Sequence, residues 1–402
     1  MVAHGEGPEV QGRIDRRYRP ARLRADPLRL LGWATLAAAL AATGAQIAYR
    51  GLGKQFAIFD FAAYYYAAVR LGQGHGLYPQ LARDFTVGDL GLYLYPPPVA
   101  ALFLPFTALT VETASVIWAA LLLTLAGAVV VALTRQVDPR LRPMAAGLLV
   151  LSIPLQTEIA NGNLTLATLA LVLAGWKLRA RATVSGSLFA AALLIKLIPA
   201  LLVPFLLAAG RWRMVAATAG ALVAIVAIGW PWLGSDWLDY LHLVQMLAAG
   251  PHVSSETHDM IPPELAAGPL RYALPALAVG VALYAGRLIA TRPARADLAF
   301  ASAVAAAPLI SPFVFYPYLV LSLPLVILLI FRERRNVVRL LGLVGVALTN
   351  FPTPPAPSDA VPLVGLLLLL IVGVMTLRGA DAAVAKPSRA GVAPSGGRAA
   401  AG

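Results

Sequence analysis

The 402-residue chain contains no cysteine. Disulfides, thiolate metal sites and cysteine nucleophiles are excluded, and any metal would have to be held by carboxylates and the five histidines. Charge is scarce too: 13% of residues are Asp, Glu, Lys or Arg, against about 25% in soluble domains. What is there is apolar, 59% of the chain with a mean hydropathy of +0.75. Composition therefore describes a polytopic membrane protein, and its long apolar runs read as all-α, as spanning helices that pair their backbone groups within each segment. The net charge of +13 does not imply a nucleic-acid partner, since the basic residues sit in short clusters between apolar runs rather than along a stripe interleaved with aromatics.

The first 27 residues form a basic segment containing Arg13, Arg16, Arg17, Arg19, Arg22 and Arg24. The apolar stretch 28–49 that follows is too long for a signal-peptide core and predicts an uncleaved first transmembrane helix. Residues 378–402, rich in Ala, Gly, Ser and Arg, read as a disordered cytoplasmic tail, which leaves 28–377 as a single transmembrane domain. A span takes about 20 apolar residues. The candidates are 28–49, 113–134, 143–158, 164–178, 184–196, 197–209, 214–233, 270–290, 297–310, 313–331, 337–350 and 361–377, about twelve spans. The proline-rich stretch 94–109 reads either as a short extra span or as a re-entrant or interfacial segment.

Short loops rich in Lys and Arg stay in the cytoplasm. With 94–109 left uncrossed, the clusters at 135–142, 177–181, 211–213, 287–295 and 332–339 fall on the same side as both termini, together with all but six of the 32 Lys and Arg residues. Both termini are thus expected in the cytoplasm. The segments 50–112 and 234–269 become the two large extracytoplasmic loops, the first carrying interfacial helices, and 159–163, the turns at 196 and 311, and 351–360 share that outer face. The Ala, Arg and Gly bias suggests a GC-rich bacterial genome, hence a bacterial plasma membrane.

The unusual polar residues lie in those outer segments. Asp60 opens "DFAAYYYAAVRLGQG", a predicted interfacial helix closed by Gly72 and Gly74. It reads either as an N-cap or as a carboxylate desolvated by Phe59, Phe61 and Tyr64, able to act as general base on a hydroxyl. Tyr93 and Tyr95 stand at the depth of an aromatic belt. "TEIANGNLTLATLALVLAGW" joins two apolar runs through Glu158, Asn161, Gly162 and Asn163. An Asn-Gly turn with Asn163 capping the next helix explains the loop, but not the glutamate. Lys196 lies between apolar runs, either snorkelling to the interface or neutralising an anionic group such as a lipid phosphate. His252, Glu256, His258 and Asp259 match no standard metal-ligand spacing, so a solvated loop is expected there and no metal.

The order of "DFAAYYYAAVRLGQGHGLY", "YPPPVAALFLPF", "NGNLTLATLAL", "KLIPALLVPFLL" and "SPFVFYPYLVL", spread over residues 30–335, resembles glycosyltransferase family 87. The resemblance implies the GT-C fold and, among its members, polyprenol-phosphate-mannose-dependent α-1,2-mannosyltransferases. It implies transfer of one sugar, mannose favoured and arabinose or another sugar open, from a polyprenyl-phosphate donor to a lipid or glycan hydroxyl on the extracytoplasmic face, with inversion, within glycolipid biosynthesis of the cell envelope. The implied base is Asp60. No cofactor is implied; the partners are the lipid-linked donor, the glycolipid or glycan acceptor and membrane lipids. After Ser311 and Pro312 the chain reads Phe313, Val314, Phe315, Tyr316, Pro317 and Tyr318 where mannosyltransferase members carry a Trp and a His pair. The donor phosphate would then fall to Lys196, Arg70 or His75, or to neutral donors on Tyr316 and Tyr318, with Glu158, Asn161, Asn163, Tyr64 and Tyr95 as sugar or acceptor contacts. The competing expectation is a lipid-linked sugar flippase without transferase activity. A flippase would spread polar groups along a path through the membrane rather than gather Asp60 and Lys196 in one place.

Overall fold

The computed structural model describes residues 26–52, 59–82, 92–249, 260–261, 268–351 and 360–379. Among them the regular structure is helical: α1 Pro27–Leu52, α2 Phe59–Gly72, α3 Pro97–Phe103, α4 Val111–Thr134, α5 Arg142–Val150, α6 Ile153–Asn161, α7 Thr165–Lys177, α8 Ala182–Ile195, α9 Leu202–Ala208, α10 Trp212–Ala249, α11 Ala273–Thr291, α12 Ala296–Ala306, α13 Leu323–Ile327, α14 Asn336–Thr349 and α15 Ala360–Arg378. Short 3₁₀ and π turns extend α9, α12 and α13, so that Tyr316–Arg332 forms one apolar rod around α13.

Five helices are long and apolar enough to cross a bilayer, within α1 and along α4, α10, α11 and α15, and α5 with α6 makes a sixth when taken as one broken span. The other expected spans form as helices of 10–17 residues, short of the about 20 that hydrocarbon demands of a single crossing. Proline and glycine set their lengths. The run 143–158, expected as one span, breaks by 51° between α5 and α6, because Ser152 caps the new helix through Leu155 N–H and Pro154 occupies its first turn. Residues 94–109 form α3 and a 3₁₀ turn over Leu104–Ala108, together too short to span. In α10 the helix continues through Pro231 to Ala249, so the segment anticipated as a loop from residue 234 begins as helix.

Small residues let these helices approach closely, as membrane packing requires. A Cβ added at Gly147 of α5 would lie 2.9 Å from the Thr35 methyl of α1. One at Gly186 of α8 would lie 2.5 Å from Ala217 Cβ and 2.8 Å from Thr218 N of α10, and one at Gly365 of α15 2.6 Å from Thr349 N beside α14. Large apolar residues such as Val223, Ile228 and Trp232 of α10 stay on the outside, where lipid replaces water as their neighbour.

The two ends of the bundle differ. At one end, where α7 finishes and α8 and α12 begin, Arg179 and Arg332 approach Asp297 (3.8 and 3.9 Å) and Arg295 pairs with Glu333 at 2.9 Å. Arg142 bonds the carbonyls of Arg135 and Val137 at the same end, where α4 stops and α5 starts. The clusters at 135–142, 177–181, 287–295 and 332–339 thus share one end. Thr165, at the start of α7, and Lys196, just past α8, mark the other.

Candidate active site

Asp60 stands in the first turn of α2. Its helix belongs to no span and ends in a Schellman turn, in which Gly74 adopts φ +71° while His75 N–H donates to Arg70 O and Gly74 N–H to Leu71 O. Phe61, Tyr64 and Tyr65 are buried. The Phe61 ring lies 5.9, 5.8 and 6.1 Å from Phe103, Phe106 and Trp118. That aromatic packing fixes the roll of α2 and turns the half-buried Asp60 carboxylate inward.

The turn after α6 is built the same way. Gly162, at φ +69°, lets Asn163 N–H reach Glu158 O at 3.0 Å and Gly162 N–H reach Ile159 O, while the Trp118 indole donates to Gly162 O at 2.8 Å. Asn163 emerges directly beneath Asp60, and its Nδ2 donates to Asp60 Oδ2 at 2.8 Å. Its Oδ1 accepts from Thr165 N (2.9 Å), Thr165 Oγ1 (2.7 Å) and Lys196 Nζ (3.0 Å). The orientation of this amide follows from its neighbours, because a flipped carboxamide would set Nδ2 against an ammonium and a backbone N–H, both donors. Lys196, 8% exposed, also donates to Thr165 Oγ1 at 2.8 Å and lies 3.9 Å from the Tyr318 ring centroid. One side chain thus holds a carboxylate at one end and an ammonium at the other.

Tyr64 donates to the Tyr95 hydroxyl at 2.8 Å, their rings perpendicular at 4.8 Å, and the Tyr95 hydroxyl stands 3.5 Å from Asn163 Nδ2. Among the described residues Asn163 is the hydrogen-bond partner of Asp60. Burial pushes the Asp60 carboxyl above its ordinary 3.8, while the Asn163 hydrogen bond and the Lys196 charge hold it down.

The expected residues divide. Asp60, Tyr64, Tyr95, Asn163, Lys196 and Tyr318 come together. Glu158 lies beneath them, fully buried, and gives Oε1 to Leu166 N–H in the first turn of α7, where Leu164 supplies no cap of its own. Among the described residues its Oε2 has no hydrogen-bond partner. Asn163 caps the same helix through Thr165 N–H, as its position predicted. Arg70 bonds the Leu77 carbonyl at 3.2 Å, and Tyr316 donates to the Phe351 carbonyl at 2.6 Å, so neither hydroxyl nor guanidinium joins the cluster. His75 is exposed past Gly74, and Asn161 ends α6 with no side-chain bond to the cluster. His252, Glu256, His258 and Asp259 lie outside the described residues.

Two residues were missed. Thr165 completes the Lys196 cradle, and Asp236 of α10 accepts the Leu77 N–H at 2.9 Å, tying the segment after α2 to the long helix. An Asp followed one turn later by Asp239 and Tyr240 in an apolar helix was the available signal for the second.

An all-helical chain with several membrane-length helices and a buried carboxylate, amide and ammonium cluster at one end is a membrane protein equipped for polar chemistry at that end. Over residues 93–312, more than half its length, it matches the family model of glycosyltransferase family 87, and it belongs to that family. It is an enzyme that transfers a sugar. No curated protein and no solved structure matches the chain. The expectation of a flippase without transferase activity gives way to this membership, and Asp60 and Lys196 share one cluster rather than a path. Asp60 lies before the matched span; its bond to Asn163 joins it to residues within it.

Proposed function

We propose that the enzyme moves one sugar from a polyprenyl-phosphate donor to a hydroxyl of a lipid or glycan acceptor at the extracytoplasmic face, with inversion, mannose being the sugar the family resemblance favours. Asp60 is the general base. The acceptor hydroxyl gives its proton to the Asp60 carboxylate as its oxygen bonds to the anomeric carbon. The bond from that carbon to the phosphate oxygen breaks, and the electron pair leaves with polyprenyl phosphate, whose charge Lys196 meets. A phosphate leaving group needs no protonation, so one carboxylate suffices, unlike the acid and base pair of a hydrolase.

The observation that carries this reading is the Asn163 side chain, bonded to Asp60 through Nδ2 and to Lys196 through Oδ1. It keeps base and cation apart. Direct pairing would neutralise both, whereas the intervening amide leaves the carboxylate basic and the ammonium cationic on either side of a reacting carbon. Tyr318 beneath Lys196 and Thr165 beside it preset the cation for an anion. The outer-face placement is supported by the arginine clusters at the far ends of α7 and α8, read by the positive-inside rule.

The test is transfer by purified protein from radiolabelled polyprenyl-phosphate sugars to membrane lipids, with Asp60→Asn as control. Label entering a new glycolipid with the parent alone is the expected result; equal transfer by both proteins removes Asp60 from the role. Because the chain has no cysteine, sidedness is read with single cysteines. An impermeant maleimide added to intact cells labels Gln73→Cys and spares Arg181→Cys, and the reverse pattern overturns the orientation.

A further inference from the structure

Glu158 is the buried ionisable group that the proposed reaction leaves without a task. It is 0% exposed and so presents no surface to a sugar. What it holds is the turn into α7. Its carbonyl accepts Asn163 N–H at 3.0 Å and its Oε1 accepts Leu166 N–H at 2.5 Å, so one residue grips both ends of the segment 163–166. Lys196 grips the same segment between them, through Asn163 Oδ1 at 3.0 Å and Thr165 Oγ1 at 2.8 Å. Carboxylate and ammonium thus bind successive residues, Leu166 and Thr165, in the first turn of one helix.

Hydrogen bonds alone do not balance the charge here. Both Lys196 bonds end on neutral oxygens, and Asp60 is engaged by Asn163 Nδ2 at 2.8 Å. One oxygen of Glu158, Oε2, is left without a donor among the described residues. A buried ammonium with no anion near it gives up its proton rather than stay charged. The titratable groups that face Glu158 and Lys196 are Asp60 and Tyr64 of α2, Tyr95 just before α3, and Tyr318. Phenols are neutral near neutral pH, which leaves the two carboxylates. Of these, Glu158 acts on Lys196 the more strongly.

We propose that Glu158 is the standing counter-ion of Lys196, a positioning residue that works through the ammonium and touches neither donor nor acceptor. The proposal rests on the transferase reading above and deepens it, because Lys196 must be a cation before a phosphate arrives. With the opposite charge supplied from beneath by Glu158, Lys196 keeps its proton in an empty site. Asp60 is relieved of that pairing and stays available to take a proton from a hydroxyl. The first turn of α7 suits the arrangement, since the N-terminal end of a helix favours an anion.

The test reads the Lys196 proton directly. The chain has four lysines, Lys54, Lys177, Lys196 and Lys386, so full-length protein in detergent, labelled with carbon-13 at lysine Cε, gives few NMR signals, and the one lost in Lys196→Met is thereby assigned. Its titration midpoint should fall by at least about one pH unit in Glu158→Gln, which keeps the side-chain size and an acceptor for Leu166 N–H but removes the charge. Glu158→Asp, which keeps the charge and shortens the reach, should bring the midpoint back toward that of the parent. Asp60→Asn should lower it by less than Glu158→Gln does. An unmoved midpoint in Glu158→Gln, an equal fall in Glu158→Asp, or a larger fall in Asp60→Asn overturns the proposal and leaves Glu158 as a cap of α7. No substrate enters the measurement, so its failure is distinct from a failed transfer assay, which strikes the transferase reading instead.

Discussion

The two ends of the α7–α8 hairpin handle charge in opposite ways. At the Asp60 end the ionic groups are few and dry: Lys196 is 8% exposed, bonded to the neutral oxygens of Asn163 and Thr165 and covered by Tyr318. At the arginine end they are many and wet. Asp297 is 45% exposed and its partners Arg179 and Arg332 are 35% and 46% exposed, at 3.8 and 3.9 Å. Solvated pairs of this kind contribute about 0–1 kcal/mol each, and their role is to hold one end in water. Buried ions cannot be removed singly at so little cost. In the proposed mechanism charge serves placement at one end and chemistry at the other.

The sharpest way to break this contrast is Asp60→Asn. The amide still accepts from Asn163 once rotated but takes no proton, so kcat should fall by about 10²–10⁴-fold with the melting temperature and donor binding retained. Loss of stability with normal activity per folded molecule would make Asp60 structural. Next is Lys196→Met, for which donor affinity should fall by about 100-fold, the worth of a charge-assisted contact; unchanged affinity returns Lys196 to a packing role.

The same variant sharpens the pH dependence. In the proposed mechanism the base works ionised, and burial raises the Asp60 carboxyl above its ordinary 3.8, so activity should disappear as pH falls through that raised value. Lys196 holds the value down, hence Lys196→Met should move the acid limb of kcat/KM to higher pH. An acid limb that stays in place would mean that the limb reports another group.

Gly186→Val comes third, since its Cβ alone would meet Ala217 and Thr218 at 2.5 and 2.8 Å. Forcing α8 from α10 should cost about 1–3 kcal/mol, visible as a lower melting temperature. The smallest effect belongs to the wet end. Asp297→Asn keeps the acceptor for the Trp176 indole and should cost under about 1 kcal/mol, measured by thermal unfolding; a larger loss would place that end among the buried networks.

Much of the helical layout was legible in the sequence because apolar runs punctuated by Pro and Gly define helix ends: 164–178 and 184–196 became Thr165–Lys177 and Ala182–Ile195. The break in 143–158 was legible too, in the Ser152 and Pro154 pair, but run length alone hid it. At the site, Asp60, Asn163 and Lys196 stood out as polar residues in apolar surroundings. Thr165 did not, since a threonine opening a helix looks ordinary and its partner lies 31 residues away. Asp236 is further removed, 159 residues from Leu77, and no local pattern reports such a contact. His75 was chosen by residue type and Tyr316 by its place after Ser311 and Pro312, and neither type nor place says where a side chain points.

The hairpin of α7 and α8 has a last implication. Thr165 begins one arm and Lys196 follows the other, and they meet because the arms run 13 and 14 residues. The hairpin is therefore a gauge. One residue inserted in either arm would swing everything beyond it by about 100° and slide it by about 1.5 Å, carrying the ammonium off its cradle while leaving hydropathy untouched. Away from close approaches such as Gly186, the kind of apolar residue in these arms is free to vary; their number is not.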